Sequence, residues 1–485
     1  MLLVVLLCLP LLAGLLAGAL PWRRWLGWAG VAANASVLGL GIWLAALAEH
    51  HHTISGLDGL LRADALSAFM AIVIGTVSLL AAIQSLRFLE VEMSRTGRPR
   101  RASLYSLLVQ LFVTCMLLAV LSANLGVLWV AIEATTIATT FLVGYRRDDK
   151  ALEASWKYVL ICSVGIALAF LGTAIVYFAA LHAPGHPTGV TVLDWSSLMR
   201  SAHRLNPRVM SLAMGLLVLG YGTKVGLVPL HSWLPDAHSQ APAPVSTLMS
   251  GVLLSVAFYA LLRFKAIADV ALGPGFSRTL LVAVGLASLF LAASLLLTQR
   301  DLKRMLAYSS MEHMGLVAIG AAAGTPLAIA AVLLHILGHG LTKAVLFLAS
   351  GEILIVEGTT EINRIPALLA RRPVLGGIVG LGVASLVGLP PFSLFVSELG
   401  MIRGEFASGL GWAAATSLIA LAVVFGALAG HSRRLLLGGA RTDASATRRL
   451  VAVPLIGALL ACAFIGLSEW PLLPLLDAAA RVVAR

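Results

Sequence analysis

From Leu2 onward the chain is organised as long, nearly uninterrupted apolar runs separated by short polar ones. About 20 mostly apolar residues are enough for a helix to cross a membrane. Fourteen such stretches begin near Leu2, Leu26, Ala65, Leu104, Leu125, Ala151, Val209, Val245, Leu280, Met305, Leu327, Val374, Gly411 and Leu450. Their hydrophobicity is continuous rather than alternating, which predicts helices and excludes a barrel. The expected fold is therefore all-α: a polytopic membrane bundle of about 14 transmembrane helices. Connections are short, and the longest, from His182 to Pro207, reads as a loop.

Composition agrees with the pattern. Hydrophobic residues make up 59% and charged residues 12% of the chain, whereas soluble domains carry about 25% charged residues. The first run, MLLVVLLCLPLLAGLLAGAL, has no basic residues before it, and Arg23 and Arg24 come after it, so it reads as a retained first helix rather than a signal peptide. Loops after odd-numbered stretches hold 21 Lys and Arg, and those after even-numbered stretches with the C-terminus hold 10. By the positive-inside rule the odd loops face the cytoplasm and both termini face outward. The net charge of +12 is then a matter of topology, and nucleic acid is not an expected partner. Cys8, Cys115, Cys162 and Cys462 each sit alone in an apolar run, where cysteine behaves as a small hydrophobe. There is no C-x-x-C, and the glycine-rich GGIVGLGVASLVG lies in a span rather than after a strand, so neither a redox centre nor a dinucleotide site is expected in this chain.

Against this background the ionisable residues inside spans carry the information, because a charge at the bilayer centre costs about 2.5 to 3.5 kcal/mol even on insertion scales. They are Glu133 in the fifth stretch, Lys224 in the seventh, Glu312 and His313 in the tenth, His335, His339 and Lys343 in the eleventh, and Glu398 in the twelfth. Lys157 lies two turns into the sixth stretch, where it can also snorkel to the interface. His335, His339 and Lys343 are spaced i, i+4, i+8 and share one helix face. Proton transfer, a structural hydrogen-bonded pair and a metal site are all open to them. The last lacks the Glu of H-E-x-x-H and any carboxylate or thiol close by in sequence.

The seventh and twelfth stretches hold prolines in mid-span. GLVPLHSWLPD (226–236) laid over GLPPFSLFVSE (388–398) matches Gly, Leu, Pro, an apolar residue, an aromatic and a terminal carboxylate at equal offsets. Proline removes a backbone donor and clashes with the preceding turn. Both helices are expected to break and to free carbonyls for water or side chains. Paired broken helices in corresponding places point to an ion site in transporters. The expected organisation is an N-terminal group (1–103), two inverted repeats of five helices (104–265 and 276–437) and a last helix (438–485).

The block KVGLVPLHSWLPDAHSQAPAPVS, the Glu133 stretch, HILGHGLTKAVLFLASG and LPPFSLFVSE together resemble the antiporter-like, proton-conducting subunits of respiratory complex I, Mrp antiporters and group 4 [NiFe] hydrogenases. IEATTIATTFLVG, ALEASWKYVLICSVGIALA and AYSSMEHMG look like the hydrogenase-4 component F branch. The resemblance implies that Glu133 pairs with Lys224, that His335, His339 and Lys343 carry protons through the centre, and that Glu398 opens to the far side. Lys157, His231, Ser255, Glu312 and His313 take secondary places. It also implies proton or sodium translocation in a redox-driven complex of a prokaryotic inner membrane. Partner membrane subunits and soluble electron-transfer subunits would hold Fe–S clusters with Ni–Fe or flavin centres, and this chain would hold no cofactor. A cation/proton antiporter subunit without redox partners is the alternative, and an unrelated solute carrier leaves the seventh-stretch block unexplained. One departure is Ser255, where complex I relatives often carry a lysine, so water would have to bridge Lys224 to Lys343. The chain runs about 17 residues past its last span, without the long lateral helix of the terminal complex I subunit.

A buried Lys224 has a physical rationale. Burial favours the neutral amine, while a carboxylate at about 4 Å favours the ammonium by about 4 kcal/mol at an effective dielectric near 20. Moving Glu133 would toggle the proton, which a permanently charged Arg could not permit.

Overall fold

The computed structural model describes residues 1–51, 53–184, 189–365, 367–437, 449–470 and 472–484. In chain order the elements begin with α1 (Leu2–Ala19), α2 (Arg24–His51), a hairpin of β1 (Thr53–Gly56) and β2 (Leu61–Asp64), α3 (Ala65–Thr96), α4 (Pro99–Leu121), α5 (Leu125–Val143) and α6 (Asp149–Leu181). They continue with α7 (Trp195–Ser201), α8 (Pro207–Val225), α9 (Trp233–Gln240), α10 (Ala243–Leu248), α11 (Leu254–Leu272), α12 (Pro274–Leu296), α13 (Leu302–Ala323) and α14 (Pro326–Glu357). The last are α15 (Leu368–Arg371), α16 (Pro373–Leu386), α17 (Ser393–Ala407), α18 (Gly411–Leu436), α19 (Arg449–Leu467) and α20 (Leu473–Val483). Among the described residues 10 helices are long and apolar enough to cross a membrane, and α16 and Val451–Leu467 are shorter apolar helices.

Helix starts follow local chemistry. Asp64, Asn124, Asp148, Asn206, Asp301 and Thr325 each accept backbone N–H bonds at the heads of α3, α5, α6, α8, α13 and α14. Pro99, Pro207, Pro274, Pro326 and Pro373 stand at the first helical position of α4, α8, α12, α14 and α16, where a missing N–H costs nothing. The centre of the bundle is α14, packed by α3, α10, α13, α16, α17, α19 and α20.

The two expected breaks are present. α8 ends at Val225 and α9 starts at Trp233; α16 ends at Leu386 and α17 starts at Ser393. Gly226 (φ 85°) and Gly388 (φ 66°) turn the chain in the left-handed region, and Val228–Pro229 and Pro390–Pro391 are both cis. The freed Thr223 carbonyl accepts from Trp233 Nε1 at 2.8 Å, and the Val228 N–H is taken by Ser288 Oγ at 2.9 Å.

Some readings need correction. The connection from His182 to Pro207 contains α7, whose Trp195 and Leu198 are buried. Residues 185–188 of that connection and 438–448 after the 437/438 boundary lie outside the described residues. Arg263, Lys265 and Lys303, read as loop cations, lie within α11 and α13 and are 5%, 3% and 2% exposed. Arg263 binds Asp64 with two N–H donors at 2.7 Å each and stacks over Trp195 and Tyr259. Lys265 pairs with Asp269 at 2.5 Å. Past the last apolar helix, α20 is amphipathic and packs Leu475, Leu476, Ala479, Ala480 and Val483 into the bundle, against α3 and α14.

Candidate functional site: a buried line of titratable side chains

Lys224 stands in the last turn of α8, where the carbonyl end of the helix favours a cation. It is fully buried. Its Nζ donates to Tyr158 OH at 2.7 Å and to Thr136 Oγ1 at 2.8 Å, and Thr136 Oγ1 donates to Glu133 Oε2 at 3.1 Å. The expected direct Glu133 to Lys224 pair is thereby corrected: a threonine hydroxyl stands between them. Thr136 follows Glu133 by three positions, so the helical repeat puts it on the carboxylate's own face, toward α8. Tyr158 is held by Thr139 at 2.5 Å and lies edge-on to Trp233, with ring centroids 5.1 Å apart.

The second group lies on α13, α14 and α17. Lys343 Nζ donates to the Leu306 carbonyl at 2.8 Å and to Ser309 Oγ, both on α13. His313 Nδ1 faces His335 Nε2 at 3.1 Å, and His335 Nδ1 faces Ser397 Oγ at 3.0 Å. The ring of His339 lies 5.2 Å from that of His313, and Glu312 Oε2 lies 3.5 Å from His313 Nε2. Glu398 is half-buried beside His313 and His335, with ligand atoms of all three within 4.8 Å of one another. Glu398 thus joins the group beside the histidines. Lys343 is drawn to α13 because the Leu306 carbonyl and Ser309 hydroxyl offer acceptors there. The i, i+4, i+8 face of α14 is thus real, but its closest partners come from another helix.

Between the two groups sequence reading offered only Ser255, whose buried Oγ has no hydrogen-bond partner among the described residues. It lies just after a π-helical turn, Met249–Leu253, where Ser250 meets Ser310 of α13 at 2.7 Å. The residue missed is His238 on α9. It is fully buried, stacks on Phe347 of α14 at 5.3 Å, and neither ring nitrogen has a partner among the described residues. Lys303 donates to the carbonyls of Ser239, in the last turn of α9, at 3.2 Å and of Ala241, just beyond it, at 2.5 Å. In the sequence His238 stands two residues after Asp236 in the block that follows the break of the seventh stretch, with no local sign of burial.

The remaining sequence-selected residues lie at the margin. Lys157 pairs with Glu153 at 2.6 Å and Asp236 at 3.1 Å, and Asp236 also binds Arg304 at 2.8 Å, so Lys157 ties α6 to α9 and α13. His231 is half-buried in the α8/α9 break, and its Nδ1 has no partner among the described residues. A cavity of about 420 Å³ lies where the ends of α3, α5 and α14 meet the head of α10, with Glu92, Arg146, Glu352 and Lys303 in its wall.

Residues 122–425 match the family model described as NADH:quinone oxidoreductase/Mrp antiporter, TM. The chain belongs to this family. It is 38% identical over 389 residues to a hydrogenase-4 component F homolog of Methylacidiphilum infernorum (isolate V4), covering 80% of this chain and 81% of that protein. Its fold is that of a subunit in the archaeal membrane-bound sulfane sulfur reductase complex, with a TM-score of 0.89 and 24% identity over 100% of this chain and 98% of the other. It also resembles a subunit of the Mrp complex from Dietzia sp. DQ12-45-1b, with a TM-score of 0.85 and 20% identity over 99% of this chain and 97% of the other.

Proposed function

We propose that this chain is the proton-translocating membrane subunit of a redox-driven complex of the hydrogenase-4 and NADH:quinone oxidoreductase type. The observation that carries the reading is the set Glu133, Thr136, Lys224, His238, Lys343, His339, His313, His335 and Glu398, of which all but the two half-buried glutamates are buried in the apolar interior. Buried ionisable groups in a membrane bundle are costly and are kept where ions pass. In this reading the ten apolar helices, with α8/α9, α13, α16/α17 and α19, make 14 crossings arranged as two inverted repeats. The basic loops, with the 420 Å³ cavity, face the cytoplasm of a prokaryote and supply protons past Lys303, while Glu398 releases them outward. Electron transfer belongs to soluble partner subunits carrying Fe–S and Ni–Fe or flavin centres. Identity to the hydrogenase-4 component F homolog supports the redox setting.

Within the line, Lys224 is the switchable charge. Thr136 can relay the effect of Glu133 because one hydroxyl accepts from the ammonium and donates to the carboxylate. Turning that hydroxyl would uncouple the pair without moving either helix. The test is proton uptake by proteoliposomes containing the purified complex. Lys224→Ala should abolish uptake while the complex still assembles, and uptake at the parental rate would overturn the reading. The fold shared with an Mrp subunit favours one second reading, a cation/proton antiporter subunit. Iron, nickel and subunit analysis of the purified complex separates the two, since only the redox complex holds metal clusters.

A further inference from the structure

His313 on α13, His335 on α14 and Glu398 on α17 meet from three helices, with both histidines buried and the carboxylate half-buried. The facing nitrogens, His313 Nδ1 and His335 Nε2, are 3.1 Å apart. Two ligands about 2.0 to 2.1 Å from a tetrahedral ion lie about 3.3 Å from each other, so the separation of the facing nitrogens suits one shared ion once both rings turn their lone pairs toward it. Behind each ring stands the kind of group that orients a metal-bound imidazole. Ser397 Oγ donates to the Leu394 carbonyl at 2.9 Å, so it accepts from His335 Nδ1–H, and His335 Nε2 keeps its lone pair toward His313. On the other side, His313 Nε2 faces the Glu312 carboxylate at 3.5 Å, while that nitrogen and Glu312 Oε1 have no hydrogen-bond partner among the described residues. Moving the His313 proton from Nδ1 to Nε2 turns it toward Glu312 and frees the Nδ1 lone pair, with no net gain or loss of protons.

Glu398 completes the set. Its carboxylate packs so closely on the α16/α17 break that a Cβ on Gly388 would lie 2.4 Å from Oε2. Leu389, Pro390 and Pro391 of the break lie at the surface of the chain. Two imidazoles and one carboxylate suit a borderline divalent transition ion better than a hard cation, which prefers oxygen alone.

We propose that His313, His335 and Glu398 form a binding site for a divalent transition ion of the Zn²⁺ class, and that the bound ion closes the proton line at this point. The site rests on the geometry of these residues. The closure rests in addition on the function proposed above, because an ion on both facing nitrogens removes the hydrogen bond along which a proton would pass.

The test is titration of the purified complex with Co²⁺, read by the visible absorption of a tetrahedral ion, followed by displacement with Zn²⁺. One Co²⁺ should bind and be displaced. Affinity should fall at least tenfold in His313→Ala, His335→Ala and the near-isosteric Glu398→Gln, about 10- to 100-fold in Ser397→Ala, and stay unchanged in His339→Ala. Parental affinity in His335→Ala and Glu398→Gln, or no Co²⁺ signal from the parent, would overturn the site. Proton flux measured in parent proteoliposomes with the site filled by Zn²⁺ tests the closure: arrest is expected, and undiminished flux overturns it. Absence of flux without Zn²⁺ overturns the proposed function and leaves the binding result standing.

Discussion

At the scale of single residues, the threonine between Glu133 and Lys224 changes what the pair can do. A direct ion pair answers to distance alone, whereas a shared hydroxyl also answers to rotation about one bond. Thr136→Val keeps shape and removes the hydroxyl, so it should lower proton uptake about as far as Glu133→Gln, without the complete loss expected of Lys224→Ala. Uptake assays on the three reconstituted variants check this, and parental rates in Thr136→Val would mean that the hydroxyl is idle. The buried Asp64 to Arg263 pair shows the contrasting, structural use of charge. Burial alone would raise the Asp64 carboxyl, but Arg263 and the Ser67 N–H hold it at about 2. Because the folded value lies below the ordinary value of about 3.9, its stabilisation is complete above about pH 4 and is lost as pH falls through about 2. Asp64→Asn leaves an uncompensated guanidinium and should cost about 3 to 5 kcal/mol. The gap between parent and variant in denaturant unfolding should hold from pH 7 to 5 and narrow below pH 4.

At the scale of elements, the broken helices set where side chains can reach. Gly226 and Gly388 both occupy the left-handed region, which costs other residues about 1 to 2 kcal/mol. Their surroundings differ. A Cβ at Gly226 would meet Leu234 at 3.1 Å, while one at Gly388 would meet the Glu398 carboxylate at 2.4 Å. Both alanine variants should therefore lose similar stability, a few degrees in thermal unfolding. Gly388→Ala should in addition displace the carboxylate, and both it and Glu398→Gln should lower proton flux in proteoliposomes. Equal transport by the two variants, with equal stability, would show that the carboxylate's position beside the break is immaterial.

At the scale of the whole molecule, the proposed function needs the two groups joined, and His238, buried on α9 against Phe347 of α14, is the titratable side chain proposed to join them. Its ring nitrogens make no hydrogen bond among the described residues, so His238→Leu leaves no partner orphaned and should keep or raise thermal stability. Proton uptake should nevertheless drop at least tenfold. A variant that is stable and pumps at the parental rate would show that water alone spans the gap near Ser255.

The sequence by itself determined the membrane class, the predominantly helical architecture, both breaks and most of the titratable set, but not the short β1–β2 hairpin before α3. Hydrophobic run length, mid-span proline and the cost of buried charge are local properties. Tertiary structure alone decided which of those groups meet. Lys343 bonds to α13, His335 pairs with His313 rather than with His339 a turn along its own helix, and Arg263 and Lys303 are interior because α11 and α13 carry them inward. Such pairings depend on how helices rotate and pack against one another, and residues tens to hundreds of positions apart in the chain carry no local mark of the partner they will find.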